Sequence, residues 1–434
     1  MSPTPDTAPS DDAHADRRLR DALGDVGRAF FDFPSLLAVQ RAAIPPIARG
    51  ENILVCAPTA SGKTESVVAP LVWRLRQRPT SGTAGPRLLA VAPTRALVAD
   101  LVARLEQPLA RIGWRCGAQT SDFAGADSTP DVLVTTPESF DSMLVRRVHR
   151  KEGELVGHLL ASVGAVFVDE AHCFDSTARG DQVVFLLTRL RKLRESGLAR
   201  GWIREATIQV CAASATISEP DVLAERLLGT GARAVLCPGA RPIEILTKDQ
   251  CWLRLDQSLS PRAVTDLLPN VSAPAELGEV LWRALESGEC RKALVFVPSR
   301  SECDRLGRDL RRLLNKRRAI WVDSHHGSLS REHRRRAERE FHQYRDAVLV
   351  ATNTLEVGVD IGDVDVVALV GAPPDTSGLL QRIGRGGRRS GVTRLLPLPR
   401  NRVEAAALAS QMVCAVGVQL EPKVRFRRWD VFPQ

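Results

Sequence analysis

The residues Ala57-Pro58-Thr59-Ala60-Ser61-Gly62-Lys63-Thr64 set a glycine, a lysine and a hydroxyl side by side, between an apolar run and a helical one. That composition suits a phosphate-binding loop. Successive backbone N–H groups wrap anionic oxygens, and the helix that follows adds the partial positive charge of its N-terminus. Lys63 would reach the outer phosphates, and the Thr64 hydroxyl would ligate Mg2+. Further along, Val166-Phe167-Val168-Asp169-Glu170-Ala171-His172 closes an apolar run with two carboxylates. At the C-terminal end of a strand, Asp169 would face the phosphates and hold Mg2+, while Glu170 would orient or deprotonate an attacking water. The two segments, separated by further strands of one sheet, together imply hydrolysis of ATP with Mg2+.

Positioning such groups takes a parallel sheet. Short β-branched runs alternate with helical stretches over most of the chain: Asn52–Ala57, Arg87–Ala92, Asp131–Thr135, Ala165–Val168 and Thr207–Ala213, then Lys292–Val297, Ile320–Asp323, Ala347–Ala351 and Val364–Val370. Nearly all are continuously apolar, as strands buried on both faces are. Helical segments such as Val67–Arg78 and Ala96–Ile112 separate them, so the fold class is α/β with doubly wound, mostly parallel sheets. The Pro-rich stretch Gly231–Pro274 divides the strands into two sets. The expected organisation is a disordered lead-in over 1–18, a first domain over 19–232, a connection over 233–274, a second domain over 275–400, and a C-terminal helix and tail over 401–434.

Composition narrows the class. With 434 residues, 44% hydrophobic and 26% charged, the chain has material for more than one core. No apolar run approaches the ~18–20 residues of a membrane span, and the N-terminal segment lacks the apolar block of a secretory signal. Net charge is +9, and lysine supplies only a handful of the 60 cations. Arginine forks match phosphate oxygens, although arginine-rich coding bias would give the same excess. The nine cysteines form no CxxC pair, which reads as reduced thiols in a cytoplasmic protein with no cysteine-built metal site.

Further segments carry a family resemblance. Beside the loop and the Asp169-Glu170-Ala171-His172 box stand Pro93-Thr94-Arg95-Ala96-Leu97, Thr135-Thr136-Pro137-Glu138-Ser139 and Ser214-Ala215-Thr216. In the second set stand Val295-Phe296-Val297-Pro298-Ser299-Arg300, Ala351–Asp360 and Gln381-Arg382-Ile383-Gly384-Arg385-Gly386-Gly387-Arg388. In this order, from about Phe30 to Arg389, they resemble a superfamily 2 helicase core of the DEAD/DEAH type with two tandem RecA-like domains. His325-His326-Gly327-Ser328-Leu329-Ser330, the wording of Thr352–Asp360 and Arg179-Gly180-Asp181 resemble the Lhr-type (large helicase-related) group.

The resemblance implies roles residue by residue. Pro58, Thr59, Ala60, Ser61, Gly62, Lys63 and Thr64 would bind ATP, with Gln40 reading adenine, Phe33 nearby either stacking or simply core, and Gly358 and Asp360 touching the nucleotide from the second domain. Arg385 and Arg388, three apart and expected on one face of a helical turn, would act as arginine fingers on the γ-phosphate. His172, Ser214, Thr216 and Gln381 would couple hydrolysis to domain movement. Thr94, Arg95, Thr136, Arg300 and Thr352 would contact the backbone of one nucleic-acid strand without reading sequence. Ala60 stands where the family usually has glycine, which would slow the ATPase if that position needs φ > 0.

The expected function is an ATP-dependent helicase or translocase, with DNA favoured over RNA and 3′→5′ polarity. An RNA helicase or ribonucleoprotein remodeller, and a nucleotide-gated subunit of a larger nucleic-acid complex, stand as alternatives. Lhr-type proteins continue into a winged helix and further domains. The end at Gln434 therefore reads either as a minimal core completed by a protein partner or as a truncation.

Overall fold

The computed structural model describes residues 11–33, 35–58, 61–78, 85–119, 129–146, 148–151, 154–237, 241–269, 274–288, 290–355, 362, 364–387, 391–417 and 420. In the N-terminal part these form α1 (Asp11–Ala22), α2 (Gly24–Phe30), α3 (Ala38–Arg49), β1 (Ile53–Cys56), α4 (Lys63–Gln77), β2 (Leu88–Val91), α5 (Arg95–Arg111), β3 (Cys116–Gln119), β4 (Val132–Thr135) and α6 (Pro137–Arg146). A small hairpin of β5 (Val148–Lys151) and β6 (Glu154–His158) follows. Next come β7 (Ala165–Val168), α7 (Ala178–Ala199), β8 (Gln209–Ser214), α8 (Pro220–Leu228) and β9 (Arg233–Leu236).

The seven strands other than the hairpin lie in the order β3-β4-β2-β7-β8-β1-β9, every neighbouring pair parallel. Strands β1, β2, β4, β7 and β8 are buried along their whole length, which is why their sequences carry no alternation. One core on this sheet joins Leu89, Val91, Val166 and Val168 to Phe140 of α6 and to Val183, Leu187 and Leu190 of α7.

The second compact unit begins after β9. It contains β10 (Ile243–Leu246), β11 (Trp252–Arg254), α9 (Pro261–Leu267), α10 (Pro274–Glu286), β12 (Lys292–Phe296), α11 (Arg300–Asn315), β13 (Trp321–His325), α12 (Arg331–Gln343), β14 (Ala347–Ala351), β15 (Val366–Val370), α13 (Thr376–Ile383), β16 (Thr393–Leu398) and α14 (Arg402–Val416). Its seven-stranded sheet runs β11-β10-β16-β15-β12-β14-β13, parallel except for the edge pair β10–β11. Both faces are covered: Leu294, Phe296 and Leu349 belong to one core, and Ala293, Val295 and Val350 to the other. Alternate residues of one strand thus feed opposite layers.

All nine strands read from the sequence are present. Two boundaries are corrected. Residues 11–18 are not a disordered lead-in but most of α1, which is held to the start of α3 by the buried Asp16, hydrogen-bonded to Leu36 and Arg41. Nor are 233–274 a connection: β9 completes the first sheet, while β10, β11 and α9 belong to the second domain. The prolines there punctuate short elements, Pro261 standing at the start of α9, where its missing N–H costs nothing. The C-terminal helix is α14; the tail after it lies outside the described residues, apart from residue 420. Among the described residues no helix is long and apolar enough to cross a membrane, and the nine cysteines are free thiols.

Candidate active site and nucleic-acid interface

Parallel strands bring all their C-terminal ends to one edge of a sheet, and in the first domain that edge is divided by chemistry. The adjacent strands β7, β8 and β1 end in the Asp169-Glu170 box, in Ser214-Ala215-Thr216 and in the phosphate-loop segment. The adjacent β4 and β2 end in Thr136 and in Thr94-Arg95.

The three hydrolytic segments are bonded to one another. The Ala57 N–H donates to the Ser214 carbonyl at 3.2 Å. The Ala215 N–H donates to Nδ1 of His172 at 3.3 Å, and that nitrogen is 3.4 Å from Oε2 of Glu170. Lys63 opens α4 and is buried, its Nζ donating to the carbonyls of Ala57 and Pro58 at 2.8 and 2.7 Å. Gly62 takes φ +80, the left-handed turn that hands the loop to the helix. Ser61 Oγ donates to the Pro58 carbonyl at 2.7 Å, and Thr64 is buried beside Lys63. Thr59 and Ala60 lie outside the described residues.

Electrostatics follow from this packing. Burial, together with the neighbouring Glu170 charge, pushes the Asp169 carboxyl up to about 7, against the pull of Arg104 and Lys63. Burial lowers the Lys63 ammonium from its usual value, and Glu170 and Asp169 work to keep it charged. The buried Asp169 carboxyl and Thr64 hydroxyl, with the half-buried Glu170 carboxylate, make an all-oxygen donor set that fits a hard divalent cation such as Mg2+. The Ser214 hydroxyl is fully buried and has no hydrogen-bond partner among the described residues, whereas Thr216 is half-buried.

Glu170 sits at φ 47, ψ 50, a left-handed conformation that costs a non-glycine residue ~1–2 kcal/mol. It begins a tight turn over Ala171–Phe174, against which α7 is pressed. A Cβ on Gly180 would stand 1.8 Å from the Phe174 carbonyl oxygen. From the same turn of α7, Arg179 donates to Oε1 of Glu138 at 2.7 and 2.9 Å and lies over the Phe174 ring. Arg179 and Gly180 therefore tie the turn after Glu170 to α6, the helix that Thr136 caps.

Gln40 is also brought to this site. Its Oε1 accepts the Leu37 N–H at 2.9 Å, capping α3, and its Nε2 lies 2.9 Å from where a Gly62 Cβ would be. Phe33 is 77% exposed, so of the two readings open for it the core is excluded.

The strand-contact candidates take two forms. Thr94 caps α5 by accepting the Leu97 N–H, and Thr94 and Arg95 are exposed. Thr136 is buried, its Oγ1 within 3.4 Å of the Ser139 N–H and hydroxyl. In the second domain the adjacent strands β12, β14 and β13 end close to Arg300, Thr352 and His325. Arg300 is exposed; Thr352 is buried and donates its N–H to the His325 carbonyl at 3.2 Å. His325 and His326 pair with Glu338 and Asp304 at 2.9 and 3.0 Å.

Expected on a helical turn, Arg385 is instead buried in the turn beyond α13, which carries a half-buried Gln381 and ends at Ile383. Gly386 bridges to Val364, Gly387 takes φ +67, and its Cβ would meet the Val392 carbonyl at 2.0 Å. Glycine-rich sequence reads equally well as helix end or as turn, and close backbone approach decides it. Arg388, Gly358 and Asp360 lie outside the described residues.

Sequence reading gave no role to Asp16 or Glu138 and no reason for Gly180, although Glu138 and Gly180 both stand in segments it singled out.

Comparison with known proteins now supplies the class. Residues 37–223 match the DEAD/DEAH box helicases and residues 275–390 the helicase conserved C-terminal domain. The chain carries both domains of a DEAD/DEAH box helicase, two tandem RecA-like domains that form the core of a nucleic-acid-dependent ATPase. Among such helicases it is similar to Lhr-type proteins. It is 29% identical over 400 residues to the ATP-dependent helicase Lhr-Core protein 2 of Thermococcus barophilus, covering 87% of this chain and 43% of that one. It is 30% identical over 372 residues to the ATP-dependent helicase Lhr-Core of Methanocaldococcus jannaschii, covering 81% and 40%. The structure of Mycobacterium smegmatis helicase Lhr bound to ssDNA and AMP-PNP superposes with a TM-score of 0.71 at 27% identity, covering 93% of this chain and 51% of that one. The chain spans less than half the length of these two Lhr-Core relatives.

Proposed function

We propose that this chain is an ATP-driven translocase on single-stranded DNA, the motor core of an Lhr-type helicase. The observation that carries the reading is the bonded network at the ends of β7, β8 and β1. There the segments that carry Lys63, Asp169 and Glu170 are joined by the bonds of Ala57 to Ser214, of Ala215 to His172 and of His172 to Glu170. Single-stranded DNA enters through the M. smegmatis Lhr, whose structure holds ssDNA and AMP-PNP.

In this reading the triphosphate lies against the N-terminus of α4, and Lys63 exchanges its two carbonyl partners for phosphate oxygens. Thr64 and Asp169 hold Mg2+, which when bound neutralises charge on the phosphates. Glu170 takes a proton from the attacking water. His172 keeps Glu170 in register with Ser214-Ala215-Thr216, so a change at the phosphates reaches the neighbouring strand end. Arg385 and Arg388 serve as arginine fingers, Gly358 and Asp360 touch the nucleotide, and Gln381 couples hydrolysis to domain movement. Thr94, Arg95 and Thr136 from one domain and Arg300 and Thr352 from the other grip the strand backbone, so that affinity depends on salt and little on sequence.

The test is the ATPase rate with and without single-stranded DNA or RNA. Stimulation by DNA above RNA supports the reading, and stronger stimulation by RNA transfers it to an RNA helicase. Hydrolysis indifferent to either strand overturns the motor in favour of a nucleotide-gated subunit.

A further inference from the structure

The segment from Phe33 to Arg41 carries the two groups placed to meet a nucleotide base, and the first helix grips it at both ends. Asp16 of α1 is only 1% exposed. Its Oδ2 accepts the Leu36 N–H at 2.7 Å and Nη2 of Arg41 at 2.9 Å, and its Oδ1 accepts Nε of Arg41 at 2.6 Å. One turn later, Arg20 donates through Nη1 to the Phe33 carbonyl at 2.6 Å. Asp16 and Arg20 therefore share a face of α1, four residues apart.

A buried carboxylate is costly unless it is paired and hydrogen-bonded, and here every contact goes to one short stretch of chain. Between those anchors the stretch presents an exposed phenyl ring, held by its own backbone. It ends at Gln40, whose Oε1 caps α3 and whose amide nitrogen leans on Gly62 of the phosphate loop. Leu36, also buried, adds an apolar anchor on the same strip.

We propose that Asp16 and Arg20 are positioning residues for base selection, fixing the angle at which Phe33 and Gln40 meet the purine. This rests on the reading of Gln40 as the adenine contact. Neither side chain touches the nucleotide; α1 sets the geometry of the groups that do. A base contact made by an oriented amide is sensitive to small rotations, whereas phosphate contacts made by the loop are not, so the effect should fall on discrimination between bases.

The experiment compares steady-state hydrolysis of ATP and GTP by wild type, Asp16→Asn, Asp16→Glu and Arg20→Met, assayed well below each melting temperature. Asp16→Asn is expected to raise KM for ATP about tenfold with kcat within about twofold, leaving the GTP constants nearly unchanged. Arg20→Met should shift the same ratio by a smaller factor, and Asp16→Glu should recover part of it. A role confined to stability would move both nucleotides together. If Asp16→Asn does not fold, Arg20→Met, whose hydrogen bond is exposed, carries the comparison. A discriminating wild type with an unchanged ATP-to-GTP ratio in the variants overturns the positioning role alone. A wild type indifferent to the base overturns both this role and the adenine reading of Gln40.

Discussion

In the first domain, the functional groups at the sheet edge are partners of one another. Lys63 feels Asp169 and Glu170, Glu170 neighbours His172, His172 accepts from Ala215, and Ser214 accepts from the loop. In the second domain the side chains are anchored to different elements: His325 and His326 each by a carboxylate from a different helix, while Thr352 joins His325 through the backbone, Arg300 is exposed at the start of α11 and Arg385 lies in a turn beyond α13. Chemistry that breaks a bond needs several charges within reach of one another, and this forces burial, shifted ionisation and a strained backbone at Glu170. Gripping a polyanion needs only separate cations and donors at intervals. The contrast predicts that substitutions in the first network act as a unit, while those in the second act one at a time.

The largest effect tests the network at its centre. Lys63→Ala should lower turnover by more than ~10³-fold with an unchanged circular dichroism spectrum, and full hydrolysis in that variant would remove the phosphate-loop assignment. Next, Arg385→Ala should retain ATP binding, measured by fluorescent-nucleotide titration, and lose about 10³-fold in hydrolysis. A loss no greater than that of Arg300→Ala would instead class Arg385 with the strand contacts. Arg300→Ala should reduce DNA affinity a few-fold and lessen the salt dependence by about one counterion, read by anisotropy across a salt series.

The smallest effect lies outside both regions. The hydrogen bonds from Arg41 hold the Asp16 carboxyl below its ordinary value. Because its folded-state value is depressed, its contribution to stability is present above the unfolded value and lost as pH falls through the folded one. Thermal melts of Asp16→Asn should therefore approach those of wild type at acidic pH and diverge above about pH 4. Parallel curves would show that the carboxylate charge carries none of the stability.

How much of this was legible in the sequence depended on whether the cause was local. Buried parallel strands announce themselves as unbroken apolar runs, and the lysine loop and double carboxylate fall at their ends, so the first site could be read directly. The turn at Arg385 could not, because its shape comes from Gly386 meeting Val364 and Gly387 crowding Val392. The first of these joins residues 22 positions apart in the chain. The same holds for Arg179 and Gly180, which were visible as an unusual segment but without a reason until Phe174 and Glu138 were placed beside them. For α1 the polar composition of 11–18 hid a helix whose buried Asp16 is held by Leu36 and Arg41, further along the chain. The span 233–274 misled because proline marks the ends of short strands as readily as it marks a linker.

The left-handed backbone at Glu170 bears on how this protein would evolve in the laboratory. A library screened for heat resistance alone should drift toward glycine or asparagine there, residues at ease in that conformation, while a library screened for turnover should keep the glutamate. At this one position robustness and speed would select different residues.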